Sequence, residues 1–265
     1  MRAYQLSALA LITAVLVGCS GNTRPVPNAP EQSLYQQAQQ ALQNGRYSAA
    51  VTELEALDSR FPFSDNAEQV QLDLIYGYYE INNYSSAIAT ATRFIRLHPN
   101  NAKIDYAYYM RALSNWESGR GSLESFSLTD ISKRDLGATN SAYKDLYTLV
   151  SQYPQSQYAP DARQRIIYLR NLTAEHELKI ANFYLRKRDY VAAVGRARWI
   201  IEHYPQTPAN MDALAYMAEG YMGLNMNDRA RETLAVLKRN DPDYSRLDGN
   251  TFNTRYLGKS LSLNQ

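Results

Sequence analysis

The chain has 265 residues, with 28 basic and 26 acidic side chains, a formal net charge of +2 and 11% aromatic residues. That length can bury a sizeable core, as one solenoid or as two small domains. The near balance of charge gives no footprint for nucleic acid. Its 22 tyrosines beside only 6 phenylalanines point to half-exposed helix seams or a binding surface, where a ring packs while its hydroxyl stays wet.

Residues 1–18 read as an export signal. Arg2 supplies the positive start, and Leu6 to Val17 is an apolar run of h-region length, too short for a membrane span. The run ends Leu16-Val17-Gly18-Cys19, which resembles the bacterial lipobox. The resemblance implies a lipoprotein: cleavage before Cys19, acylation of that cysteine (palmitate among the acyl groups) and, because Ser20 follows where inner-membrane lipoproteins carry Asp, sorting to the outer membrane. An ordinary signal peptide with an incidental cysteine is the alternative. Each buried CH₂ contributes about 0.8 kcal/mol, so two or three acyl chains anchor stably. Apart from those covalent acyl groups no cofactor is expected, and with Cys19 as the sole thiol no internal disulfide can form. Residues 19–30, with Pro25, Pro27 and Pro30, read as the lipidated tether.

From residue 31 the apolar spacing is helical. Helices are expected at about 31–44 and 47–60, then 65–81 and 84–97, with a fifth from Ile104. A break of about eighteen residues follows, an insertion at about 115–137 that carries Gly119, Gly121 and the mixed charges of residues 130–135; such a loop serves as a contact or is merely tolerated. Helices resume at about 138–152, 159–187, 190–203, 209–223 and 227–239. The polar tail, 243–265, reads as disordered or docked onto a partner.

Five alanines stand twelve residues before a proline: Ala50/Pro62, Ala87/Pro99, Ala142/Pro154, Ala193/Pro205 and Ala230/Pro242. Proline lacks the N–H that further helix requires, and Gly45 suits the turn before Ala50. This corner-and-stop pattern resembles the tetratricopeptide repeat (TPR), in which a small residue lets two helices pack closely and a proline closes the hairpin. The steps between prolines are 37, 55, 51 and 37 residues, against 34 for the consensus. The fold expected is therefore all-α, a superhelical solenoid of five TPR helix pairs over residues 31–242.

Catalytic chemistry has little to stand on. His98, His176 and His203 are far apart without metal-ligand spacing. Gly119-Arg120-Gly121-Ser122 lacks the Gly-Lys-Ser/Thr of a phosphate loop, and the neighbours His176 and Glu177 point apart on a helix. No enzyme and no metal site is expected; TPR solenoids hold other proteins.

Taking Ala38, Ile75 and Ala112 as inward positions, their neighbours at −6, −3, +1 and +4 line a groove. Among these twelve positions, which also include Leu42 and Leu113, the candidate groove residues are Tyr35, Leu72, Tyr76, Tyr79, Tyr106, Tyr109 and Trp116. Some of these rings pack between neighbouring units instead. On the helix at 190–203, Arg196, Trp199 and His203 gather about 100° away from the inward face. Arg and Trp dominate interface hot spots, and a cation–π pair between Arg196 and Trp199 is the alternative.

Several stretches resemble the BamD family, TPR lipoproteins of the machinery that inserts β-barrels into the outer membrane. They are Glu53 to Phe63, Gln69 to Tyr76, Arg93 to Leu97, Ile104 to Arg111 and Ser151 to Tyr158. The resemblance implies a groove for unfolded outer-membrane β-barrel proteins, and partners in a BamA-type POTRA insertase and other BAM lipoproteins. It also implies an insertase contact at Arg196, with a lipid-anchored position on the periplasmic face of the outer membrane. The alternative is a TPR scaffold lipoprotein for secretin or cell-wall synthesis machinery.

Overall fold

The computed structural model describes residues 28–120 and 136–264. Cys19 and most of the expected insertion lie outside them. Ten helices and three short strands are formed among the described residues. The described residues divide into two compact units, those up to residue 67 and those from residue 68.

Unit 1 holds one helix pair, α1 (Glu31–Gln43) and α2 (Tyr47–Arg60). Leu34, Ala38 and Ala41 of α1 are buried, as are Ala50, Val51, Leu54 and Leu57 of α2. Burying each of the larger side chains contributes about 1.5–3 kcal/mol. Asn66 ties the end of the unit back to its start by donating to Glu31 Oε1 at 3.0 Å.

Unit 2 holds four pairs: α3 (Ala67–Glu80, its first residue in unit 1) with α4 (Tyr84–Leu97), α5 (Ile104–Arg120) with α6 (Gly137–Gln152), α7 (Ala159–Arg186) with α8 (Tyr190–His203), and α9 (Ala209–Gly223) with α10 (Asn227–Asn240). The fold is the expected all-α solenoid of TPR pairs, and the helix bounds fall close to those read from the spacing. One difference lies at the insertion: residues 115–120 continue α5, so helix persists into the segment expected to be loop.

The corners explain the repeat. Gly45, Asn82, Arg188 and Asn225 all adopt positive φ, between 59° and 69°, and each stands five residues before its repeat's alanine. At each, two amides bond back to the ended helix, as Gly45 N to Leu42 O at 3.0 Å and Arg46 N to Ala41 O at 2.9 Å. That pairing satisfies carbonyls the helix end would otherwise orphan. Asn83 and Asp189 then cap the next helix by accepting from the Ser86 and Ala192 amides. The closing corners are equally uniform. The residue before each of the five prolines donates its amide to the carbonyl four residues back, at 2.8 Å every time. Gly223 answers a different need. A Cβ there would lie 2.5 Å from the Tyr190 ring, so glycine lets α8 begin flat against the end of α9.

Within unit 2, buried clusters bridge neighbouring pairs. Leu72, Ile75, Ala91, Phe94, Ala107 and Met110 join α3, α4 and α5, and Ala112, Ala142, Leu146, Leu149, Ala162 and Leu169 join α5, α6 and α7. One charged pair enters this packing. Arg111 donates from both Nε and Nη2 to the Asp145 carboxylate, at 2.8 and 2.6 Å, the bidentate geometry that compensates desolvation best.

The segment after Asp243, where a disordered or partner-docked tail was expected, folds onto its own chain. Strands β1 (Leu247–Asp248), β2 (Thr251–Asn253) and β3 (Ser260–Ser262) form an antiparallel sheet in that order. Phe252, fully buried, faces Leu247 and Leu261 across the two ladders. Phe252, Leu261 and Tyr244 complete a core with Leu214, Ala218, Leu234 and Leu237 of the last helix pair. The isolated apolar residues of the tail are therefore one face of a small sheet.

Candidate functional site

The expected groove residues of α3 and α5 fall into several environments within unit 2. Leu72 is only 2% exposed and belongs mainly to the core, reaching the groove cavity only as part of its lining. The reason is its place in the solenoid. At −3 from Ile75 it faces Ala107 and Met110 of the next pair as well as its own partner helix.

Tyr76 and Tyr106 are half-buried and stand on the wall of an open cavity of about 550 Å³. Its polar rim comes from Gln69, Asp73, Lys103 and Asp105, and its far side from the corner Gln155–Tyr158. Lys103 donates to Gln69 Oε1 at 2.6 Å, and Gln69 donates onward to Asp73 Oδ1 at 2.7 Å. The hydrogen-bonding rim and aromatic floor can orient an extended peptide and pack its side chains.

Tyr158 organises the remainder. Its ring stacks on Tyr109 with centroids 4.7 Å apart and meets Tyr106 at 5.8 Å. Burial pushes the Tyr106 phenol up, with the neighbouring Tyr158 adding to the shift. Tyr109 is pushed up to about 12, first by burial and then by donating to Asp161 Oδ2 at 2.8 Å. Asp161 also accepts from Arg165 Nε. Both phenols are thus held in their neutral form, and that of Tyr109 donates to Asp161. Tyr79 instead packs on Tyr84 at 5.7 Å. Trp116 meets Tyr168 edge-on at 5.6 Å and borders a separate cavity of about 390 Å³ with Arg120, Gln164 and Arg165. Tyr35 lies half-buried in unit 1.

The α3–α5 cavity therefore brings together three of the seven expected residues on its lining, Tyr76 and Tyr106 as half-exposed wall and Leu72 by its edge. Sequence reading missed the corners at 102–103 and 155–158. Each opens the next unit's first helix, so projecting the repeat's corners as well as its helices would have found them.

On α8, Arg196 and Trp199 do not pair. Arg196 donates to Glu177 Oε2 of α7 at 2.9 Å, and Trp199, 45% exposed, stacks on His203 with centroids 3.5 Å apart. His203 Nδ1 sits 3.1 Å from the Trp199 carbonyl, and Trp199 hydrogen-bonds Tyr204. The three side chains do share one exposed face, each fixed by a neighbour. Among the described residues no cluster of His, Cys, Asp and Glu could hold a metal ion, and no helix is long and apolar enough to cross a membrane.

Residues 27–237 match a family model described as YfiO: Outer membrane lipoprotein. Curated relatives carry the name outer membrane protein assembly factor BamD. The one from Vibrio cholerae is 38% identical over 89% of this chain and 98% of its own length. That from Pasteurella multocida is 37% identical over 88% and 89%, and that from Xylella fastidiosa 34% identical over 92% and 84%.

Proposed function

Because the chain belongs to the BamD family of outer membrane lipoproteins, we propose that it holds unfolded outer-membrane β-barrel proteins in the α3–α5 cavity and presents them to a POTRA-bearing insertase. No bond is made or broken in this role. The carrying observation is the cavity of about 550 Å³ with Tyr76 and Tyr106 on its wall and hydrogen-bonding side chains on its rim. An extended strand ending in aromatic side chains suits both features. Arg196, Trp199 and His203 would meet the insertase on the α8 face, with other BAM lipoproteins completing the assembly. Acyl groups on Cys19 would anchor the chain to the outer membrane at its periplasmic face. The named relatives weigh for this reading over a scaffold for secretin or cell-wall machinery.

The test is binding of a labelled peptide that copies the last strand of a barrel protein. Packing one aromatic side chain is worth about 1.5–3 kcal/mol, so Tyr76→Ala should weaken binding tenfold or more. The reading fails if Tyr76→Ala binds as the wild type does, or if it loses thermal stability and binding together.

A further inference from the structure

The twelve-residue register can be carried to the last two pairs. Ala181 and Ala218 precede Ala193 and Ala230 by twelve residues, as Ile75 precedes Ala87, and both are fully buried. The position of Tyr76 on α3 then corresponds to Asn182 on α7 and Glu219 on α9. That of Gln69 corresponds to Asp212 on α9. These three groove positions are polar, and the chain's own C-terminal segment occupies all of them. The Tyr244 hydroxyl donates to Asp212, and the Tyr256 hydroxyl donates to Asn182 Oδ1 at 2.6 Å. Glu219, 0% exposed, accepts from Arg246 Nη1 at 2.9 Å. It also accepts from the backbone amides of Arg255, Tyr256 and Leu257 at 2.9, 2.6 and 3.1 Å. The Arg246 guanidinium lies over the rings of Tyr216, Tyr244 and Phe252, 5.2–5.7 Å from each centroid.

The amides of three consecutive residues in the bend at 255–257 converge on one carboxylate beside a guanidinium, the charge-assisted contacts by which a turned segment of backbone binds a carboxylate. We propose that the inward faces of α7 and α9 form a second peptide-binding surface, occupied in cis by residues 244–257. In exchange it takes a partner segment that turns to present successive backbone amides, with an arginine among aromatic side chains. This surface uses none of the residues of the α3–α5 cavity, so it stands or falls separately from the function given to that cavity.

A simple cap over the last pair is the competing account. Phe252 and Leu261 do supply one, since they bury against Leu214, Leu234 and Leu237. A cap needs only apolar contacts, however. It gives no reason to place a fully buried carboxylate on α9, whose desolvation an apolar residue would avoid.

The probe is a fluorescent peptide of residues 243–264, measured by anisotropy against the full chain and a chain ending at Asp243. The truncated chain should bind it saturably and the full chain at least tenfold more weakly, because its surface is filled. Glu219→Ala in the truncated chain, or Arg246→Ala in the peptide, should each weaken binding at least tenfold. Should truncation abolish folding, the full chain can be cut after folding at a protease site built into residues 241–243, and exchange of the severed segment for the probe followed. The proposal is overturned if the folded truncated chain does not bind, if full and truncated chains bind alike, or if the severed segment never exchanges. Equal binding of the Arg246→Ala peptide also overturns it.

Discussion

Replacing Arg246 with methionine tests whether the C-terminal segment is held by charge as well as by packing. Methionine keeps most of the side-chain length and apolar contact while removing the guanidinium. Glu219 is 0% exposed and Arg246 16%, so the variant leaves a carboxylate out of water with its main cation gone. Breaking a buried ion pair from one side costs about 3–5 kcal/mol. Three backbone amides still bond Glu219, which places the expected loss at the lower end, about 3 kcal/mol. For a body the size of unit 2, each kcal/mol shifts the melting temperature by about 2–4 °C, so the variant should melt roughly 6–12 °C below wild type. Circular dichroism at 222 nm on the lipid-free chain reads this directly. The double variant Glu219→Gln, Arg246→Met removes both charges and should recover part of the loss, since the coupling between contacting residues vanishes with the pair while the glutamine oxygen can keep only one side's amides. A single variant melting within 2 °C of wild type would refute the argument, because Glu219 would then be compensated without its arginine.

Three further predictions rest on other parts of the chain. Cys19→Ala should abolish labelling by radioactive palmitate, since the sequence holds no other cysteine; normal labelling of that variant would remove the lipid anchor. Tyr109, pushed up to about 12 by burial and its bond to Asp161, favours its neutral form in the fold. Its contribution to stability is present below pH 10 and is lost as pH rises through about 12. The difference in phenolate absorbance between wild type and Tyr109→Phe should therefore titrate near pH 12, and a difference near pH 10 would contradict the burial argument. Arg196→Glu should release the insertase in a pull-down at moderate salt while the helicity is kept, with some loss of melting temperature because the new carboxylate faces Glu177, whose side chain is only 14% exposed. Retention of the insertase at wild-type levels would clear this face of the contact.

The helices were legible because each bound is marked by chemistry that acts within a few residues. A proline stops every second helix, and its predecessor's amide closes the last turn at 2.8 Å. The left-handed corner was legible at Gly45, where glycine removes the steric cost, and fairly so at Asn82 and Asn225. It was hidden at Arg188, whose side chain gives no such signal. There the conformation is imposed by the two amide bonds that finish α7, Arg188 N to Leu185 O and Asp189 N to Tyr184 O, both at 3.0 Å. Local geometry shared by the repeat overrode the preference of one residue.

The site was less legible because a helix wheel describes one face at a time, whereas a solenoid helix packs on two. The inward stripe of α3 was drawn from its contact with α4, which leaves Leu72 at the edge of the stripe. Adding α5 widens the buried arc, and Leu72 joins the core beside Ala107 and Met110. The same second neighbour accounts for the stacking of Tyr109 against Tyr158. The C-terminal pair reverses the error. On α9 the run Ala213 to Met222 is interrupted by Glu219 alone among charged residues, and a wheel would send that carboxylate to solvent. It instead accepts four hydrogen bonds, because the segment from 244 onward brings Arg246 and three amides to it. A lone charge within an apolar helical run can therefore mark where distant chain returns, and the aromatic and cationic spacing of residues 244–256 is the complementary half of that signal.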